Sequence, residues 1–241
     1  MSEERRVALV TGAGHRVGKA FAVALGKRGY EVAVHYHATK TPAETVKEIS
    51  AGGGKAQTFS CDLTSTEGPS ALVDEVFKRM KRLDVVINSA AVMLRTPVDE
   101  VTVEQWDSIF ALNLRAPFFV TQAASRVMTE GGVVINISDL AAFETWPAYV
   151  PHAISKAGVV KMTESLARVL APKIRVNAIA PGAILLPEEW DEEQAKKFAS
   201  TTPLRRIGSP DDAVAAMLYL LDAQYVTGET IVVDGGRRIR N

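Results

Sequence analysis

The chain has 241 residues, 47% of them hydrophobic and 23% charged, which suits one large globular domain with a sizeable core and is short for two. Its 28 Lys plus Arg balance 28 Asp plus Glu, so no net field draws it to nucleic acid or to an anionic membrane, and a small-molecule substrate is the expected partner. A lone cysteine, Cys61, excludes an intramolecular disulfide, the N-terminus lacks the pattern of a signal peptide, and no apolar run approaches the roughly 18–20 residues of a membrane span; a soluble cytoplasmic protein is expected.

Short β-branched runs recur along the chain: Val7–Val10, Val32–His35, Ala56–Cys61, Val85–Ile87, Val133–Ile137, Ile174–Ile179 and Thr230–Val233. They are continuous rather than alternating, as parallel strands covered on both faces are. Between them lie segments with helical spacing. In the first, Val17, Ala20, Phe21, Ala24 and Leu25 form the apolar stripe that packs a helix on a sheet, with Gly26 and Gly29 helping to end it. Ser209-Pro210-Asp211-Asp212 reads as a helix start: a hydroxyl cap, proline at the first position, acids in the first turn. The alternation predicts one α/β domain over residues 1–241, with a doubly wound, parallel, seven-stranded sheet and helices on both faces.

The first strand leads into Thr11-Gly12-Ala13-Gly14-His15-Arg16-Val17-Gly18 and then a helix. Strand, glycine-rich turn and helix let backbone approach a pyrophosphate, with the helix N-terminus supplying N–H donors. A carboxylate near the end of the second strand would accept hydrogen bonds from a ribose diol and repel a 2′-phosphate. That position, nineteen residues after Gly18, is His37, and no acid occurs between Glu31 and Glu44. Arg16 and His37, with the Thr39 hydroxyl, suit a dianionic phosphate, which predicts NADP(H) over NAD(H). The plain alternative for Arg16 is a solvated surface cation.

The turn resembles the Thr-Gly-x-x-x-Gly-x-Gly of the short-chain dehydrogenase/reductase family, a Rossmann fold, with Arg16 in place of the middle glycine. That variant, and Val34-His35-Tyr36-His37 after it, is similar to the pteridine reductases within the family. Further landmarks follow in order: Asp62-Leu63, which the resemblance places against adenine; Asn88-Ser89-Ala90-Ala91; Asn177 and Pro181-Gly182 near the nicotinamide; Thr227-Gly228; and Val233-Asp234-Gly235-Gly236 in the closing strand. The resemblance implies cofactor contacts from Gly12, Gly14, His15, Arg16, Val17, Gly18, Asp62, Leu63, Asn88, Ala90, Lys156, Pro181 and Gly182.

The family's usual active site combines Asn, Ser, Tyr and Lys, the tyrosine moving a proton at the substrate oxygen and the lysine holding the nicotinamide ribose. Asn113 and Lys156 stand in the first and last places, and Asp139 takes the serine place, again as in pteridine reductases. The tyrosine place, four residues before Lys156, is His152. An imidazole titrates near 6.5 in the absence of perturbation, against about 10 for tyrosine, so it carries a proton near neutral pH. It is also shorter than phenol by very roughly 2 Å, so the substrate sits deeper or a water relays. Asp139 is otherwise a turn or capping carboxylate, and Tyr149 is a second candidate acid or a pocket wall. Met93, Phe143, Trp146, Tyr149, Leu185 and Trp190 are candidates to line the substrate pocket, their aromatic rings suiting a planar substrate. Met93 stands where pteridine reductases carry a ring-stacking phenylalanine, so that sandwich is not visible.

Two functions are consistent with these residues. One is NADPH-dependent hydride transfer to a carbonyl or pterin-like imine, with His152 supplying the proton. The other is a weak or inactive NADP(H)-binding pseudoenzyme acting as a redox sensor or scaffold. No metal is expected. The resemblance also implies a homotetramer or homodimer through two helices flanking the sheet, compatible with the apolar residues Val159, Val160, Met162 and Leu166.

Overall fold

The computed structural model describes residues 5–37, 42–185 and 191–239. Thr39 and Trp190 of the expected site lie outside these residues. Among the described residues, seven strands form one parallel sheet: β1 Val7–Val10, β2 Glu31–Tyr36, β3 Lys55–Ser60, β4 Val85–Asn88, β5 Gly132–Ile137, β6 Ile174–Pro181 and β7 Thr230–Val233. Their order is β3-β2-β1-β4-β5-β6-β7, so the winding reverses between β1 and β4. The expected strands are all present. Several ends move by one or two residues: β2 gains Glu31 and Tyr36, β3 gains Lys55 and loses Cys61, β4 gains Asn88, β5 gains Gly132 and β6 runs on to Pro181.

Parallel pairing such as Val10 with Val34 and Ile87, and Ile137 with Ile179, brings the carboxyl ends of the strands to one edge. A crevice at that edge, beside the reversal point, is where open sheets of this kind hold ligands.

Among the described residues there are eight α-helices: α1 Arg16–Lys27, α2 Ala43–Ala51, α3 Gly68–Met80, α4 Val103–Phe110, α5 Ala116–Val127, α6 Val150–Leu170, α7 Glu192–Ala199 and α8 Pro210–Asp222. Two apolar cores result, one per face. Phe21 and Leu25 of α1 pack with Val32, Ile49 and Met217 on one side, while Leu9, Val76, Val120, Ala124 and Val176 fill the other. Each large side chain removed from water there contributes about 1.5–3 kcal/mol.

Gly26 does not end α1 as expected. It lies inside the helix, and a Cβ there would stand 2.8 Å from Ile49 Cγ2, so its smallness sets the approach of α1 to α2. The turn out of the helix falls to Gly29, at φ +86°. The expected start at Ser209 is realised: the Ser209 amide donates to Asp212 Oδ2 at 2.7 Å, and Pro210 opens α8.

Candidate active site

Between β1 and α1, Gly12 has φ +66°, and a Cβ on it would meet Ala90 Cα at 2.8 Å. The turn therefore lies directly on the backbone after β4. Thr11 Oγ1 fixes the other side, accepting the amides of Ser89 and Ala90 at 3.0 and 3.1 Å. A Cβ at Gly18 would stand 2.3 Å from the Gly12 carbonyl oxygen, which excludes any larger residue. His15 is the N-cap of α1, extended and without a side-chain cap, so the first-turn amides are left to an external acceptor. Gly14 is partly buried, Val17 follows in the first turn, and His15 and Arg16 are exposed. Arg16 has φ +51°, in the left-handed region that favours glycine. For a non-glycine residue that conformation costs about 1–2 kcal/mol.

His37 is exposed at the exit of β2. Asp62 accepts the Thr64 amide and hydroxyl through Oδ1, at 2.8 and 2.7 Å, and these bonds hold its carboxyl below the usual carboxylate range. Two expected cofactor contacts turn inward. Leu63 is buried in the core, and the Asn88 amide donates to Pro117 O, Thr121 Oγ1 and Asn136 Oδ1 beneath the sheet edge. Their side chains hold the scaffold, which leaves only backbone atoms for a ligand. Asn177 is likewise structural: it donates to Val226 O and accepts the Glu229 amide, anchoring the approach to β7. Pro181 ends β6, and Gly182 follows it, its amide on Val233 O at 2.9 Å.

Asn113, Asp139, His152 and Lys156 come together at the carboxyl edge. Asn113 sits in a π-turn, Ala111–Arg115, that joins α4 to α5. Such turns insert a residue into a helix and occur frequently at functional sites. Asn113 Oδ1 accepts the Val92 amide and Nδ2 donates to Val92 O, both at 2.9 Å, which fixes the amide orientation. Its second Nδ2 proton goes to Ser155 Oγ at 3.2 Å. His152 Nδ1 lies 3.3 Å from Val92 O and 3.4 Å from Asn113 Nδ2. Because both protons of that amide are committed, Nδ1 carries the ring proton and donates to Val92 O. The other ring nitrogen, Nε2, is then an acceptor when the ring is neutral.

Nε2 is buried and has no hydrogen-bond partner among the described residues. It faces Asp139 Oδ2 at 3.8 Å. Asp139 divides its oxygens: Oδ1 caps the short helix Leu140–Ala142 through the Ala141 amide at 2.8 Å, and Oδ2 faces the imidazole. The capping reading of this residue therefore holds, and its second oxygen is not used by the cap. Lys156, one helical turn after His152 in α6, is 4% exposed and donates from Nζ to Ile137 O at 2.8 Å. Burial pushes its pKa down to about 8, opposed by the negative charge of Asp139.

Around this centre, Trp146 and Tyr149 meet edge to face at 6.2 Å, and the Trp146 indole donates to Glu144. Tyr149 is the N-cap of α6. Phe143 is half-exposed beneath the Arg238 guanidinium, Met93 is exposed, and Leu185 is partly buried after β6. Sequence reasoning missed His35, whose ring takes the Gly12 amide at 3.1 Å; a histidine inside an otherwise apolar strand was the available signal.

A family model described as Enoyl-(Acyl carrier protein) reductase matches residues 12–238. The 3-oxoacyl-(acyl-carrier-protein) reductase of Synechocystis sp. is 34% identical over 240 residues, 96% of each chain. Among solved structures, the angucycline C-6 ketoreductase LanV with bound NADP has a TM-score of 0.90 at 30% identity, over 98% of this chain and 96% of its own. A blue fluorescent protein from a metagenomic library, in complex with NADPH, has a TM-score of 0.89 at 30% identity, over 96% and 97%.

Proposed function

The chain belongs to the short-chain dehydrogenase/reductase family, and we propose that it is an NADP(H)-dependent reductase of a carbonyl or pterin-like imine, with His152 in the place of the family's proton-donating tyrosine. The observation that carries this reading is His152 Nε2: buried, without a partner among the described residues, and facing Asp139 Oδ2 at 3.8 Å. An unpaired buried nitrogen costs about 1–3 kcal/mol. Its retention one turn from Lys156 supports a proton-handling role rather than a packing one.

The residues fit a phosphorylated dinucleotide. The N-terminus of α1 has no side-chain cap, Gly18 closes the turn, and Arg16 places a cation there at the expense of backbone strain. A carboxylate is absent from position 37, where it would oppose a 2′-phosphate. LanV with NADP and the blue fluorescent protein with NADPH agree with that choice. Bound NADPH supplies the hydride. The protein's own task is to deliver a proton to the atom that becomes electron-rich. Neutral His152 presents a lone pair at Nε2; a proton taken up there lies between imidazole and carboxylate and is then available to the acceptor. Lys156 adds positive charge within the same buried site.

Asp139 bears on the substrate. A carboxylate beside the proton-transfer site disfavours an isolated alkoxide and favours an acceptor that presents N–H groups, so the imine branch fits the charge better than a simple ketone. The likeness to pteridine reductases supports that branch, while the exposed Met93 supplies no ring-stacking wall. A specific observation favours the pseudoenzyme reading: Lys156 Nζ is engaged on Ile137 O, and the Asn113 amide is spent on Val92 and Ser155.

A second copy of the chain is proposed to dock on a groove of about 1180 Å³ between α4, α5 and α6, where Phe118, Phe119, Met162 and Val169 present apolar surface. Of the expected interface stripe, Val159 is instead buried and Leu166 belongs to the core.

The test is titration with NADPH and NADH, followed by cofactor oxidation across ketones, quinones and dihydropterins from pH 5 to 8. Tighter NADPH binding with turnover supports the reductase. Binding without turnover on any substrate supports the pseudoenzyme.

A further inference from the structure

We propose that His35 is a positioning residue for the dinucleotide, its neutral imidazole setting the turn Thr11–Gly18 and tying that turn to the segment after β3. The inference rests on the cofactor reading above and concerns a residue that the family's usual active site does not include.

The hydrogen bonds determine the tautomer. The Gly12 amide, which can only donate, points its proton at His35 Nδ1 at 3.1 Å, so Nδ1 carries the lone pair. The ring proton is then on Nε2, which donates to Cys61 O at 3.0 Å. The His35 carbonyl accepts the next amide of the turn, from Ala13, at 2.9 Å. One residue thus takes two consecutive turn amides, one on its ring and one on its backbone. The ring is 2% exposed, so water does not substitute for either partner.

The turn is held from two further directions. Ala90 Cα lies where a Gly12 Cβ would be, and Thr45 Oγ1 donates to Ala13 O at 3.0 Å. His35 supplies the link that these lack. Cys61 directly precedes Asp62-Leu63, so a single imidazole spans the phosphate-facing turn and the segment expected beside adenine. It fixes the separation of two parts of the site that would grip one ligand.

A purely structural histidine and a positioning one are separated by two amides that each reproduce half of the ring. In His35→Asn the side-chain oxygen occupies the place of Nδ1 and can accept the Gly12 amide. In His35→Gln the amide extends toward Cys61 O and leaves Gly12 N–H without its acceptor. Both lose ring volume, so both lower thermal stability.

The experiment is NADPH titration of wild type, His35→Asn and His35→Gln, each with thermal unfolding to establish that it is folded. It is paired with ¹⁵N spectra of the wild-type imidazole with and without NADPH. The expected result is a dissociation constant about threefold above wild type for the Asn variant, which keeps the Gly12 acceptor and loses the tie to Cys61 O, and about tenfold or more higher for the Gln variant, which loses the Gly12 acceptor. The wild-type ring remains an Nε2–H tautomer throughout. Equal affinity in two folded variants, or a wild-type ring protonated at Nδ1 while NADPH is bound, overturns the inference and leaves the cofactor reading intact. The spectra retain this power if a variant does not fold. A wild-type chain that binds no dinucleotide overturns the cofactor reading and this inference with it.

Discussion

His152 Nε2 and Asp139 Oδ2 face each other across 3.8 Å at the buried end of the site, beyond hydrogen-bonding distance. With Nδ1 donating to Val92 O, a neutral ring and an ionised carboxylate present two lone pairs to one gap. A proton entering that gap gains both partners. In the proposed reaction the pair loads a proton here and surrenders it to an acceptor that approaches from the cleft.

Asp139→Asn tests the electrostatic half of this pair. Asparagine caps a helix as well as aspartate does, so the turn at Leu140–Ala142 and the thermal stability should be kept. Its amide can donate to Nε2 and hold the ring in its neutral form. Turnover is expected to fall by about 10²-fold, toward the lower end of the range for lost general acid–base catalysis, with NADPH affinity little changed. Steady-state kinetics beside direct NADPH titration separate the two effects.

Arg16→Gly tests cofactor choice. Glycine adopts φ +51° without the penalty that arginine bears, so the variant should unfold no earlier than wild type. Removing a charge-assisted bond to a 2′-phosphate should weaken NADPH by about tenfold or more and leave NADH within a few-fold. Equal losses for the two cofactors would assign Arg16 to the shared pyrophosphate instead.

Lys156 gives a pH signature. Burial lowers its pKa to about 8, with Asp139 acting in the opposite direction, so the ammonium form is present below that pH and lost above it. Reduction that requires the cation should decline as pH rises through about 8, read as kcat/KM for NADPH, which reports the free protein. Lys156→Arg, which stays charged, should lack this limb even if slower overall. On stability the sign is reversed. The unfolded lysine holds its proton to about 10.5, so the unfolded state binds more protons between about 8 and 10.5, and stability rises with pH across that window.

His35 gives an acid signature. Burial lowers its pKa from 6.5 to about 4, the Cys61 carbonyl opposing and His37 adding to the effect. The unfolded chain takes up the proton first as pH falls, so stability contributed by the neutral ring is full above 6.5 and is lost on acidification toward about 4. At 1.36 kcal/mol per pH unit this amounts to roughly 3 kcal/mol. Denaturant unfolding at pH 7 and pH 4.5 should show the wild-type advantage over His35→Asn shrinking at the lower pH.

The sheet was legible because parallel strands buried on both faces are written as unbroken β-branched runs, and all seven runs became strands. The candidate set was legible through the family resemblance, and Asp139, His152 and Lys156 do come together, because the end of β5 faces the first turns of α6. What spacing could not show was the direction of side chains. Asn88 and Leu63 occupy family positions yet point inward, where a buried amide network and the core hold them. His35 sits among strand residues whose period reveals nothing of a ring reaching back to Gly12. Gly26 reads as a helix end in the sequence because its tight contact with Ile49 lies across two helices. The π-turn that carries Asn113 depends on one additional residue in a helix, which periodicity over so short a span does not register.

Whether His152 moves the proton is read most directly from NADPH oxidation by wild type, His152→Ala and His152→Tyr on the same carbonyl and pterin panel. Wild-type turnover is expected to fall by about 10²–10⁴-fold in the alanine variant while NADPH binding persists. Tight NADPH binding with no wild-type turnover, and activity appearing only in His152→Tyr, would contradict it and identify a fold that keeps its cofactor without the chemistry.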